Sequence, residues 1–294
     1  MKKIIFAALA ILLVGCSKDE WTDSLDNHEI KVVASMNSRA TLSAFEKGDK
    51  MGLFAVEYAG NEAQPLQVGG NYLNNEPMVY NGTKWASDLK LYWSEAACDF
   101  YGIYPYQDIK SVENVLFEVA TDQSQPETAE ALGGYEASDL MWAKAEKVSQ
   151  ADGEVNLKFN HLMSRLVVNV EKGPKFEGNI PDDIVVRVYN TATTANVNWQ
   201  KGSLEKYVYS DKKTIKMRKL SGGEAPKFDA IIVPQYIERR TPMIEITMGG
   251  IAYLLEYSIS FRPGYQHTIT VTLNTSPDQE KIDIAVDGVV DNWA

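Results

Sequence analysis

From residue 29 onward the apolar positions of this chain recur with a period of two, the period of a half-buried strand rather than of a helix. Ile30, Val32, Ala34 and Met36 alternate with smaller or polar neighbours. So do Val155, Leu157 and Phe159, then Leu166, Val168 and Val170, then Ile184, Val186 and Val188. Ile215 with Met217, the set Ile269, Val271 and Leu273, and the set Ile282, Ile284 and Val286 repeat the pattern. Continuous apolar runs at Met51–Val56 and Phe228–Val233, and aromatic runs at Leu91–Trp93 and Phe100–Tyr106, predict further strands, and the two apolar faces of Phe100–Tyr106 argue for burial on at least one side. Turn chemistry separates the runs: Lys47-Gly48-Asp49, Asn81-Gly82, Gly249-Gly250 and Pro263-Gly264. Asn-Gly and Gly-Gly between apolar runs are hairpin signals, because they supply left-handed backbone without a Cβ clash. A single helical turn around Glu127–Leu132 is the only helical expectation, so the pattern predicts an all-β chain of β-sandwich type.

The first residues read differently. Lys2 and Lys3 precede 11 apolar residues, Ile4 to Val14, and Gly15-Cys16 follow. That run is shorter than the roughly 20 residues a membrane-spanning helix needs. It has the form of a secretory signal peptide, residues 1–15, ending in a lipobox whose Cys16 takes the lipid. Residues 16–28 are then a polar tether, and Cys16 is the expected anchor to the outer membrane. Removal of Lys2 and Lys3 takes the net charge from −11 to −13, which disfavours nucleic acid and anionic lipid surfaces as partners. Once Cys16 is lipidated only Cys98 remains, so no internal disulfide can form, and Cys98 reads as a small buried hydrophobe. His28, His161 and His267 stand apart from one another, and no metalloprotease, nucleophile-elbow, P-loop or Cys-x-x-Cys motif is present. Carboxylate pairs mean little among 40 acidic residues. The expectation is a non-enzymatic protein without a cofactor or metal.

Ser38-Arg39-Ala40-Thr41, Phe45-Glu46-Lys47-Gly48-Asp49 before the Met51–Phe54 run, and Phe100–Tyr106 follow one another in the first half. Asp139-Leu140-Met141-Trp142-Ala143, Leu157–Leu166 with His161-Leu162-Met163-Ser164-Arg165 at its end, Ile232–Gln235, Phe261–Tyr265 and Trp293 complete the series. In this order the segments resemble the fimbrillin family of the Bacteroidetes, the pilins and pilin-like lipoproteins of type V pili. Ser17-Lys18-Asp19-Glu20 likewise resembles the Lys-acidic-acidic tag that sends lipoproteins of that phylum to the cell surface. The resemblance implies two tandem transthyretin-like Greek-key β-sandwiches, residues 29–162 and 163–294. It also implies a fimbrial or pilus-associated lipoprotein of the outer membrane that serves adhesion and assembles with other pilin subunits by strand exchange. A trypsin-like protease would cut between Arg39 and Ala40, removing the first strand, about Ile30–Met36, so that a strand of another subunit fills the groove. As a residue alone, Arg39 also reads as a solvated loop cation. The segment Ile282-Ile284-Val286 reads either as a donated strand or as the last strand of the second sandwich, and shaft, tip and anchor roles stay open. The competing reading is a stand-alone surface lipoprotein that binds glycans on a platform of Tyr92, Trp93, Tyr101, Tyr104 and Tyr106.

Overall fold

The computed structural model describes residues 28–36, 45–206, 212–223, 225–275 and 284–293. The expected signal peptide, residues 1–15, and Cys16, Arg39 and Ala40 lie outside them. The chain is all-β. Its strands in the first half are β1 Val32–Met36, β2 Lys50–Ala59, β3 Glu62–Ala63, β4 Leu73–Tyr80, β5 Trp85–Ala86, β6 Cys98–Tyr104, β7 Val115–Glu118, β8 Met141–Val148 and β9 Val155–His161. The second half continues with β10 Ser164–Lys172, β11 Val185–Thr191, β12 Thr194–Asn198, β13 Ser203–Lys206, β14 Lys213–Lys216, β15 Arg218–Leu220 and β16 Lys227–Ile232. It closes with β17 Tyr236–Ile237, β18 Pro242–Met248, β19 Ile251–Glu256, β20 Ile259–Ser260, β21 Tyr265–Leu273 and β22 Ile284–Asn292.

The first half forms an eight-stranded sheet in the order β3-β2-β4-β5-β1-β9-β8-β6, and β6 pairs again with β2. The extra pairing joins the two ends, so seven strands make a closed ring with β3 appended to β2. The second half holds a five-stranded sheet, β15-β16-β10-β21-β22, and a four-stranded sheet, β14-β11-β18-β19. β7 leaves the first half to pair antiparallel with β12, with Val115 opposite Val197 and Glu118 opposite Thr194. The two halves also share a core: Phe54, Tyr101, Ile103 and Leu140 pack in one cluster with Leu166, Val186, Phe228 and Ile269. On the other face of the ring, Leu53, Phe100, Trp85, Leu157 and Phe159 pack with Val32 in a second cluster.

Most of the period-two segments are strands, and two turns behave as their residues require. Gly249 and Gly250 take φ of +56° and +78° between Met248 and its partner Ile251. The Asn81 side chain accepts the Thr83 and Lys84 amides, closing β4 onto β5. Three segments differ. Leu91–Trp93 makes only a short antiparallel bridge to His28–Ile30, with Ile30 N donating to Leu91 O and Trp93 N to His28 O. The helical turn stands at Gly134–Ser138 (α1) rather than at Glu127–Leu132. Its place is set by the buried Tyr135 and Ser138, the latter donating to Gly134 O. The last strand runs from Ile284 to Asn292, further along the chain than Ile282–Val286 suggested.

All seven residues of β6 are buried, as two apolar faces demand. Gly102 lies between Tyr101 and Ile103, and a Cβ there would sit 2.5 Å from Cζ of Phe159. Gly102→Ala is therefore expected to overpack the ring and lower stability by about 1–3 kcal/mol. A fall in the denaturation midpoint at unchanged slope would record it.

Candidate functional site

β1 closes the ring. On one side it runs parallel to β9 in five consecutive pairs, Val32 opposite Val155 through Met36 opposite Phe159. On the other it meets β5 at a single pair, Val32 opposite Trp85. Ile30 and Val32 are buried, Ala34 and Met36 are partly buried against the same cluster, and Val33 faces out. Burying a side chain of this size contributes about 1.5–3 kcal/mol, so the strand is held by a few side chains and one good ladder. Beside it runs a cleft of about 730 Å³ lined by Ile30, Val32, Met78, Trp85, Leu89 and Leu91. Phe45 plugs the far end of the ring, its edge or face against Trp85, Tyr104 and Phe159 at centroid distances of 5.0–5.5 Å. Tyr104 donates its hydroxyl to Asp49 at 3.0 Å, and burial raises the Asp49 carboxyl above the usual carboxylate range. Without β1, the Val155–Phe159 edge of β9 and the pockets for Val32 and Ile30 would lie open.

A second arrangement gathers segments far apart in sequence. β22 pairs with β21 over nine register positions, Tyr265 opposite Asn292 through Leu273 opposite Ile284. Along it the side chains are largely exposed, Val289 at 57 % and Val290 at 45 %, whereas Trp293 just beyond is only 5 % exposed. The Trp293 ring lies flat on His161, 3.6 Å between centroids and 13° between planes. His161 Nδ1 is 2.7 Å from Asp139. Trp293 N donates to Gly264 O at 2.9 Å, Gly264 N to Met163 O and Leu162 N to Leu140 O, both at 2.8 Å. Asp139–Ala143, His161–Arg165, Phe261–Tyr265 and Trp293, separate in sequence, thus meet in one knot. Nearby the fully buried Asp229 accepts from Arg165 at 2.8 Å and from Arg218 Nε at 3.0 Å, and Arg218 stacks 3.5 Å over the Tyr135 ring. The one signal by which that network could have been found is Asp229 itself, a carboxylate inside the apolar run of β16.

The glycan platform does not assemble. Tyr101 and Tyr104 are buried, and Tyr92 and Tyr106 are exposed at 40 % and 39 %. Tyr106 is tied to Lys50 at the start of β2, whereas Tyr72, next to Leu73 opposite Ala55, donates its hydroxyl to Tyr92 O. Five strand residues, about 16 Å, separate the two attachment points. Cys98 is buried and unpaired, and burial pushes its thiol up to about 11, which suits the part of a small hydrophobe.

A family model for fimbrillin-like proteins matches residues 38–293. A Bacteroides ovatus protein provisionally named fimbrium tip subunit Fim1C is 28% identical over 195 residues, 56% of this chain and 34% of its own length. The match therefore spans about a third of that relative. A solved structure of a provisionally named cell adhesion protein from Bacteroides uniformis is similar at TM-score 0.65 and 20% identity, covering 90% of this chain and 98% of the other. Another such protein from Bacteroides ovatus reaches TM-score 0.67 at 15% identity with the same coverage. At these identities the likeness is one of fold.

His267 lies beside the knot, buried, its Nε2 accepting the Arg262 amide at 3.3 Å. Burial, with Arg262 adding to it, lowers its pKa to about 4. The folded state therefore binds fewer protons here than the unfolded state between about pH 6.5 and 4. Stability from this group is complete above pH 6.5 and is lost as pH falls toward 4, by up to about 3 kcal/mol. Denaturant titrations across that range should show the fall, and His267→Gln should flatten it.

Proposed function

The chain belongs to the fimbrillin-like family, and from that membership we propose that it is a fimbrial subunit of the cell surface that assembles by strand exchange. The observation that carries this is β1, a closing strand with a full ladder on β9 and one pair on β5. In this reading the chain is exported as a lipoprotein on Cys16 to the outer membrane and cut between Arg39 and Ala40. The residues upstream of the cut, β1 included, leave. A strand of another subunit then closes the ring, by the same backbone pairing that draws any exposed strand edge to a partner.

β22 is the strand we assign to that role. Ile284, Val286, Gly288 and Val290 alternate as Ile30, Val32, Ala34 and Met36 do, with a small residue in the third place of each set. Laid parallel to β9, Val286 takes the position of Val32. Apart from Val286 its described side chains are exposed, so departure from β21 uncovers little apolar surface within the strand itself. A second reading keeps β22 at home as a structural strand, which its nine pairs and the buried Trp293 favour. The subunit would then accept a strand without giving one and stand at a filament end, consistent with the name of its Bacteroides ovatus relative. The division into two tandem transthyretin-like sandwiches, 29–162 and 163–294, belongs to the same proposal. It is supported by the change of sheet between β9 and β10, with β7 reaching across.

Two measurements test the assignment. Surface-released protein should begin at Ala40, and a chain that always begins at Cys16 would contradict the cut. A synthetic peptide of residues 282–293 should bind chain cleaved after Arg39 and not intact chain. The peptide with Val286→Asp should lose at least about tenfold in affinity, since a carboxylate would enter an apolar pocket. Equal binding of both peptides would exclude β22 as the donor.

A further inference from the structure

Along β22, Ala285 and the residues from Asp287 to Asn292 are exposed, so the strand rests on β21 chiefly by its backbone ladder. Val286, half-buried against the core, and Trp293, a buried indole just past the end of the strand, are the exceptions. The surface under it is the ring of His161, the last residue of β9. β9 is also the strand against which β1 lies, and the final pair of that ladder, Met36 opposite Phe159, ends two residues before His161.

We propose that Trp293 is the latch that keeps β22 on its own subunit, and that its seat on β9 makes the latch sensitive to whether β1 is in place. This rests on reading β22 as the transferable strand. The seat is fixed from three sides. Asp139 sets the imidazole plane through the 2.7 Å contact to Nδ1. Gly264, in the left-handed region at φ +70°, receives the Trp293 amide and passes its own to Met163. Leu162 N, bonded to Leu140 O, ties the turn after His161 to the start of β8. Only the β1 side of β9 is held by a strand destined to leave. Losing β1 removes five consecutive pairs from that edge and leaves His161 at the free end of a half-paired strand. The platform then tilts, the stack with Trp293 opens, and β22 is held by an edge ladder alone. A subunit that keeps β1 keeps its own last strand; one that has lost β1 releases it. Assembly is thereby ordered, because an uncut subunit neither accepts nor gives a strand.

Hydrogen exchange by mass spectrometry on the full, unpolymerised chain tests this without requiring filaments, so it can fail while strand exchange stands, and the reverse. Trp293→Ala should speed exchange of the 284–292 amides about tenfold or more while β11 and β18 keep their rates, the sign of local rather than global opening. Trp293→Phe, which preserves a ring over His161, should stay within about twofold of the parent. Val32→Asp, which unseats β1, should also speed exchange over 284–292 with β11 and β18 unchanged. Unaltered exchange over 284–292 in Trp293→Ala would overturn the latch, as would equal acceleration in β11 and β18. Acceleration with Trp293→Ala but none with Val32→Asp would overturn the link to β1.

Discussion

A closed ring of strands has no free edge, and in this chain a single five-residue strand makes the closure. β1 holds β9 by five pairs and β5 by one, and the two-residue β5 holds β4 by only two, so the seam beside β1 is the thinnest part of the ring. The rest of the first half is arranged around the space that β1 fills. Trp85, Leu157 and Phe159 turn into it, Phe45 stops its end, and Gly102 is bare so that the Phe159 ring can lie against β6. An unfilled space of this kind exposes both apolar side chains and unpaired backbone, so it is stable only with a strand in place. The physics sets no condition on which chain supplies that strand.

The second half supplies rigidity and a candidate strand. It is joined to the ring by more than the turn at Leu162-Met163. The Gln123 side chain pairs with the Ile231 backbone at 2.7 and 2.8 Å, standing in for a strand beside β16. Trp142 Nε1 donates to Trp199 O at 2.7 Å, and β7 pairs with β12. Asp229 with its two arginines brings α1 and β16 together, and removing one partner of so buried a pair typically costs about 3–5 kcal/mol. β22 by contrast is an edge strand with one neighbour, held by its ladder on β21 and by Val286 and Trp293 against the core, and it is the strand we propose to be transferable.

Much of this was legible in the sequence, and for a physical reason. Period two is a local signal, so β1, β9, β10 and β11 could be read from alternating residues, and the Asn81-Gly82 and Gly249-Gly250 turns from their conformational freedom. Burial of β6 on at least one face followed from its two apolar sides, and the structure buries both. What sequence could not yield is what depends on pairing between distant segments. Nothing local distinguishes Tyr92 from Tyr106 as members of one surface, and the register of β2 is what places them apart. Nor does any spacing reveal that Asp139, His161, Gly264 and Trp293 converge, although each had drawn attention within its own segment. The helical turn fell a few residues from its expected place because its position is fixed by burial of Tyr135 under Arg218, a tertiary contact.

The central claim is that β22 of one copy can take the place of β1 in another, with Val286 where Val32 stands. Disulfide trapping tests it most directly. In a chain carrying Val155→Cys and Val286→Cys and cut after Arg39, the two cysteines are neighbours only across an exchanged strand, since at home Val286 lies opposite Val271. Native Cys98 is buried with a raised pKa and does not compete. Mild oxidation should give a ladder of covalent multimers from cut chain and monomer from intact chain. Monomer from both, with the cut verified, would contradict the account.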